Sequence, residues 1–204
     1  MKELIFPHIT IGIVVTREDK YEEACKSARH QIYPGDIDVH ILDNTEKDFS
    51  IGAAYNKLAE ECEGEWIMYL GDDDEIVPEY LLSLMVFAQR LNVEPVCVTS
   101  HCTLYGKDMD QRHYERIPTG MWKKEYVIKE RFDEEMVRYV DSEFFNRANN
   151  DDEASIALCA WQAGYFYQQH KSNISGNKIE IEPKTGYVLD NIYVGSIRDL
   201  KDAD

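Results

Sequence analysis

A chain of 204 residues can bury one full core, and a composition of 44% hydrophobic and 30% charged residues is that of a folded soluble protein rather than a disordered one. Its formal charge of −17, from 39 acidic and 22 basic residues, repels phosphate backbones and argues against nucleic-acid binding. No apolar run approaches the roughly 20 residues needed to span a bilayer. The start, MKELIFPHITIG, lacks the long apolar stretch and cleavage site of a signal peptide, so a cytoplasmic protein without a transmembrane segment is expected.

ITIGIVV (9–15) is a continuous apolar run rich in β-branched residues, the pattern of a strand covered on both faces. YEEACKSARHQI (21–32) carries apolar residues at helical spacing and stops at Tyr33-Pro34-Gly35. DVHILD (38–43) predicts a second strand, AAYNKLAEEC (53–62) a second helix and WIMYL (66–70) a third strand. Pro78 opens an apolar helix, and EPVCVTSHC (94–102) supplies a fourth strand. This alternation predicts βαβ units, a mainly parallel sheet and one α/β domain over 1–204, with a nucleotide-type half near 1–100 and an acceptor-type half over 101–204.

Beyond residue 103 the rhythm breaks. An acidic helical region is expected over 133–148, an amphipathic segment over 154–163 and a late strand within 187–194, before a frayed tail. The five cysteines form no CxxC pair, so neither a zinc site nor a disulfide framework is signalled.

Ligands of open α/β sheets lie beyond the carboxyl ends of the strands. There this sequence places Thr16-Arg17-Glu18, Asp43-Asn44 and the triplet Asp72-Asp73-Asp74. One carboxylate would serve to cap the following helix. Three adjacent carboxylates repel one another, and a bound Mg2+ or Mn2+, which prefers hard oxygen ligands, offsets that repulsion. No P-loop motif is present, and an aspartate motif after the third strand does not match phosphatases whose DxD follows the first.

The order ITIGIVVT, VHILDN, GAAYNKLAEECEGEWIMYLGDDDEIVPEYL resembles the amino-terminal half of a family 2 glycosyltransferase with the GT-A fold. The matching residues are Gln31 and Tyr33, Asp43 and Asn44, Gly52 and Asn56, Gly64-Glu65-Trp66-Ile67, and Pro78-Glu79 with Leu81, covering nearly all of 9–82. Arg17 and Glu18 stand where that family commonly has Tyr and Asn, and Gly71 stands where the first metal-motif aspartate is common. The resemblance implies a nucleotide-diphospho-sugar transferase fold, a Rossmann-like mixed sheet flanked by helices. It also implies metal-dependent, inverting transfer from a nucleotide-sugar donor, with a UDP-sugar as first candidate. The acceptor is open among glycan, lipid-linked and protein classes.

By that resemblance Asp43 accepts a hydrogen bond from the base, and Thr16, Arg17, Glu18, Asn44 and Asn56 belong to the nucleotide pocket. Asp72 and Asp73 lie at the ribose and diphosphate, and one or more of Asp72 to Asp74 hold the metal, with Asp72-x-Asp74 as the register that gives Asp72 and Asp74 as ligands. His170 lies near where some relatives carry a further metal contact. GMWKKEYV (120–127) resembles a segment bordering the donor sugar, with Trp122 as an apolar platform. An inverting transfer needs a carboxylate to take the acceptor's proton. Asp152 and Glu153, counted back from Trp161 and Gly164, form one candidate pair. Asp141, with Glu143, in YVDSEFFNRA is the other. A catalytically silent domain that binds a nucleotide sugar or a partner is the alternative reading.

Overall fold

The structure is a computed structural model that describes residues 4–19, 21–100, 102–105, 112–114, 120–159, 164–168 and 192–194. The first half follows the sequence pattern closely. Strand β1 is Ile9–Val15, helix α1 Tyr21–Arg29, strand β2 Ile37–Asp43, helix α2 Ile51–Glu61 and strand β3 Trp66–Gly71. The short strand β4, Glu75–Ile76, and helix α3, Tyr80–Gln89, follow the acidic triplet. Strands β5 (Cys97–Ser100), β6 (Cys102–Tyr105), β7 (Arg112–Tyr114) and β8 (Met121–Lys123) come next. Helices α4 (Lys124–Glu130) and α5 (Val140–Asn149) lead to strands β9 (Ile156–Cys159), β10 (Tyr165–Gln168) and β11 (Ile192–Val194).

The main sheet has the order β11-β9-β5-β8-β3-β1-β2. Strand β8 runs antiparallel to both β3 and β5, and the other pairings are parallel, so six of the seven strands share one direction. Their carboxyl ends therefore share one edge. A smaller sheet of order β4-β10-β6-β7 begins directly from that edge, because β4 follows β3 and β6 follows β5.

Every residue of β1 is buried, which is what a central strand covered on both faces requires. On one face Ile9, Ile11, Ile13, Met68 and Leu70 pack against α1 and α3 through Ala24, Ala28, Leu81 and Leu84. On the other, Val14, Ile67 and Tyr69 meet Leu58 of α2 and a cluster of Trp122, Phe132 and Phe144. A Cβ at Gly12 would lie 3.1 Å from the Leu58 methyl, so the glycine lets α2 approach the sheet.

Local chemistry sets the helix ends. Ser50 Oγ accepts from the Ala53 amide at 3.1 Å and caps α2. In α1, Glu22 and Glu23 occupy the first turn and Lys26 and Arg29 the last, matching the helix dipole. Gln31 ties α1 to the start of α3, donating to Val77 O at 2.8 Å and accepting from the Leu81 amide at 3.2 Å. Proline at 78 lies outside α3, which opens at Tyr80.

Two expectations for the second half change. The helix expected over 133–148 begins only at Val140. Arg131 and Tyr139 hold φ values of 49° and 59°, a left-handed geometry that a helix cannot continue through, and they bracket the intervening loop. The segment 154–163 contributes strand β9, parallel to β5. The late strand is Ile192–Val194, while His170, Trp161 and the tail lie outside the described residues.

Candidate active site at the carboxyl edge of the sheet

The turn after β3 packs against the turn after β1. Asp72 is 4% exposed, and its Oδ2 accepts from both the amide and the hydroxyl of Thr16, each at 2.8 Å. Its Oδ1 accepts from Arg17 Nη2. The same Nη2 lies 3.0 Å from Asp73 Oδ2, so one cationic nitrogen meets two carboxylates. Burial by itself would lower the Arg17 pKa. The hydrogen bond to Asp72 and the charges of Asp73 and Asp72 outweigh it, and the guanidinium is held more firmly protonated than usual.

Asp74 points the other way. It is 3% exposed, accepting from the Tyr165 hydroxyl at 2.7 Å through Oδ2 and from the Gln168 amide at 2.9 Å through Oδ1. Burial, then the charges of Asp73 and Asp72, push its pKa up to about 8 against the lowering effect of those two hydrogen bonds. Asp74 thus clamps the acidic turn to β10. Of the register Asp72-x-Asp74, the structure engages both Asp74 oxygens in the interior, and the two carboxylates that share a cation, Arg17, are Asp72 and Asp73. Gly71 has a reason as well. A Cβ there would lie 2.5 Å from Asp74 Oδ2, so any larger residue would have to push that carboxylate out of its clamp.

Asp43 ends β2 exposed, with Oδ1 accepting from the Thr45 amide at 3.0 Å and hydroxyl at 2.8 Å. The backbone hydrogen bond first, then the hydroxyl, lower its pKa and keep it an acceptor. Glu18 is exposed in the turn after β1.

Three residues expected at the ligand are engaged within the protein itself. Asn44 is 3% exposed and closes its own loop, donating to Phe49 O at 2.9 Å and accepting from the Phe49 amide at 3.0 Å. Asn56 accepts from the Phe132 amide at 2.8 Å and donates to Phe132 O at 3.0 Å and Glu134 Oε1 at 2.9 Å. With Gly52, whose Cβ would lie 2.2 Å from Asp133 O, it holds the 131–134 loop against α2. Trp122 is fully buried, its ring centroid 4.8 Å from Phe144 and 6.1 Å from Tyr126, so its indole serves the core and not a sugar.

The acidic candidates of the second half separate cleanly. Asp152 and Glu153 are exposed and precede β9, which is parallel to β5. They therefore sit at the amino edge of the sheet, opposite the strand-end cluster, beside the Ser155 carbonyl that receives the Val96 amide. Asp141 lies in the first turn of α5. Burial, then the charges of Asp141, Asp74 and Asp72, drive the Tyr55 hydroxyl far above its ordinary pKa, which puts Asp141 within electrostatic reach of the same group as the triplet. Burial also raises the Asp141 carboxyl, against a hydrogen bond from the Ser142 amide at 2.8 Å. Glu143 is engaged by Arg147 at 2.7 Å, and Arg147 also donates to Glu130 O at 2.8 Å. A cavity of about 430 Å³ lies on the flank of α5, lined by Met136, Tyr139, Ser142 and Asn150, and none of the strand-end residues borders it.

Among the described residues no group of three or more His, Cys, Asp or Glu side chains is placed to hold a metal unaided. Divalent ions at diphosphate sites usually take only one or two protein carboxylates, with phosphate and water completing the shell. Asp72 and Asp73 meet that requirement, since the Arg17 nitrogen already stands where one cation touches both.

A mixed sheet with acidic turns at its carboxyl edge and a small second sheet built from that edge defines a GT-A-type nucleotide-sugar fold, and the comparisons agree. The model of glycosyl transferase family 2 matches residues 6–172, and the chain belongs to that family. Staphylococcus aureus TarS 1-349 in complex with UDP-GlcNAc superposes with a TM-score of 0.66 at 16% identity, covering 84% of this chain and 61% of that one. Its complex with UDP gives 0.64 at 16% identity over 81% and 61%. A longer TarS structure gives 0.63 at 16%, over 80% of this chain and 37% of that one. The chain thus spans less than two thirds of these neighbours. No protein of curated function matches it. No helix among the described residues is long and apolar enough to cross a membrane.

The sequence reading missed the pairing of Arg17 with the triplet. The available signal was charge: an arginine two residues beyond one strand, facing three aspartates beyond its neighbour in a parallel sheet.

Proposed function

We propose that the chain is a glycosyltransferase that moves a sugar from a nucleotide-diphosphate donor, a UDP-sugar, to an acceptor hydroxyl with inversion at the anomeric carbon. The observation that carries this reading is the convergence of Thr16, Arg17, Asp43, Asp72 and Asp73 at one sheet edge in a chain of family 2. The TarS neighbours are complexes with UDP and UDP-GlcNAc, which supports the choice of donor. Residues 1–100 form the donor half and 101–204 the acceptor half of one catalytic unit.

Asp43, kept ionised, accepts a hydrogen bond from the base, and the turns carrying Thr16 and Glu18 border base and ribose. Asp72 and Asp73 would hold Mg2+ or Mn2+, which would supply positive charge against that building on the departing nucleoside diphosphate. Asp141 is the base. As the acceptor oxygen bonds to the anomeric carbon and the bond to the diphosphate breaks, the hydroxyl proton passes to the Asp141 carboxylate. A carboxyl raised by burial is better matched to that task than an ordinary one.

Thermal-shift titration with a panel of nucleotide sugars, with and without Mn2+, tests the proposal. One donor should stabilise the protein by binding linkage, and its effect should vanish in Asp73→Asn. No response to any donor sinks it. A domain that binds a nucleotide sugar without turnover is the second reading, favoured by one observation, the Arg17 nitrogen at the cation position. Stabilisation by a donor without any hydrolysis or transfer would select it.

A further inference from the structure

We propose that Arg17 is a resident competitor for the divalent cation, a latch that holds the acidic pair closed until a nucleotide diphosphate draws the guanidinium away. This rests on the reading of the strand-end cluster as a nucleotide-sugar site. The geometry is specific. One nitrogen, Nη2, bridges Asp72 Oδ1 and Asp73 Oδ2, hard oxygens that the pair could otherwise offer a divalent ion. The residue that carries it sits at the end of β1, in the turn that borders the donor.

The electrostatics explain why the latch would be closed without nucleotide and open with it. Asp72 is almost wholly buried and Asp73 largely so, and two such carboxylates without a counter-ion would be costly. Arg17 supplies one positive charge to the pair. A divalent ion entering alone must break two charge-assisted contacts of the guanidinium and shed part of its own water, and Mg2+ in particular dehydrates reluctantly. A diphosphate changes the balance. It offers the guanidinium two acidic groups with which planar, bidentate pairing is favourable, and it offers the metal further hard oxygens. Arginine and metal then both have partners, and neither carboxylate is left bare. Metal and nucleotide should therefore bind with positive coupling set partly by Arg17.

Thr16 adds to this arrangement. Its amide and hydroxyl hold Asp72 Oδ2, so Oδ1 is aimed at Arg17 whether or not the guanidinium is there. Removing the arginine should leave that oxygen in place for a metal. The latch thus differs from a merely structural ion pair, whose loss would loosen the turn and weaken every ligand.

The test is the affinity of the full chain for Mn2+, read from the electron paramagnetic resonance signal of the free ion, with and without UDP. Arg17→Gln should bind Mn2+ about tenfold more tightly than the wild type when no nucleotide is present. UDP should tighten Mn2+ binding by a larger factor in the wild type than in Arg17→Gln. Arg17→Lys keeps a cation but carries it on a flexible stem that fixes it less firmly between the carboxylates, so it should fall between the wild type and Arg17→Gln. It also serves if the glutamine variant does not fold. Equal or weaker Mn2+ binding in the Arg17 variants, with UDP still raising Mn2+ affinity, overturns the latch alone. If neither Mn2+ nor UDP binds any of the proteins, the nucleotide-sugar reading falls and the latch with it.

Discussion

Two acidic regions of this chain look alike in sequence and lie at opposite edges of one sheet. Asp72 and Asp73 close the turn after β3, next to Thr16 and Arg17 from the neighbouring parallel strand. Asp152 and Glu153 stand exposed before β9, at the edge where the parallel strands begin. Only the first region gains from what the fold does at a carboxyl edge, where turns from several strands converge. There the carboxylates are drawn out of water and given a cation and hydrogen-bond donors. At the other edge Asp151 serves its own turn, accepting from the Glu153 amide at 2.9 Å, and its neighbours remain solvated.

The sharpest way to break this comparison is to neutralise one carboxylate at each edge. Asp73→Asn should lower sugar transfer about 10³-fold, the scale expected when a group stabilising the departing charge is lost. The readout is release of nucleoside diphosphate from the donor that responds in the thermal-shift panel. Retention of turnover in this variant would remove the carboxyl edge from the chemistry.

A structural change of similar rank tests the corrected residues. Asn56→Ala should cost about 2–3 kcal/mol in urea unfolding, because it leaves the Phe132 amide and carbonyl unpaired beside α2. If Asn56 served a ligand instead, stability would hold while donor affinity fell.

Asp141 offers a prediction in pH. Its carboxyl is raised in the folded state, so its contribution to stability is full below the unfolded pKa and is lost as pH rises through the folded pKa. Asp141→Asn cannot ionise and escapes that loss. Its Tm should match the wild type near pH 4 and exceed it at neutral pH, while transfer falls sharply. A variant that is less stable at both pH values would show that Asp141 holds the loop and α5 together rather than serving as the base.

The smallest effect belongs to the amino edge. Asp152→Asn and Glu153→Gln should each change turnover by less than about twofold, as exposed substitutions away from a site do. A large loss in either would restore them as candidates and contradict the separation of the two edges.

Much of the first half was legible because its signals are local. A run such as ITIGIVV has one outcome in a βαβ series, and an apolar spacing of three and four residues defines α2. The family pattern rode on the same segments. The second half carried weaker patterns, and its arrangement depended on contacts that no local window contains. Trp122 is an example: an aromatic residue after a glycine reads equally as a platform or as core. Its place beside Phe144 decided the matter.

By itself, then, the sequence determined the strand–helix order of residues 9–100, the family to which the chain belongs and the edge on which its chemistry should be sought. Tertiary structure alone decided the division of labour within the triplet, where Asp72 and Asp73 share a cation and Asp74 turns inward to Tyr165. It also decided which downstream acids are left exposed at the opposite edge. The physical reason is that pKa, burial and cation sharing depend on neighbours from distant parts of the chain. Three identical side chains in a row acquire different chemistry only when those neighbours are brought around them.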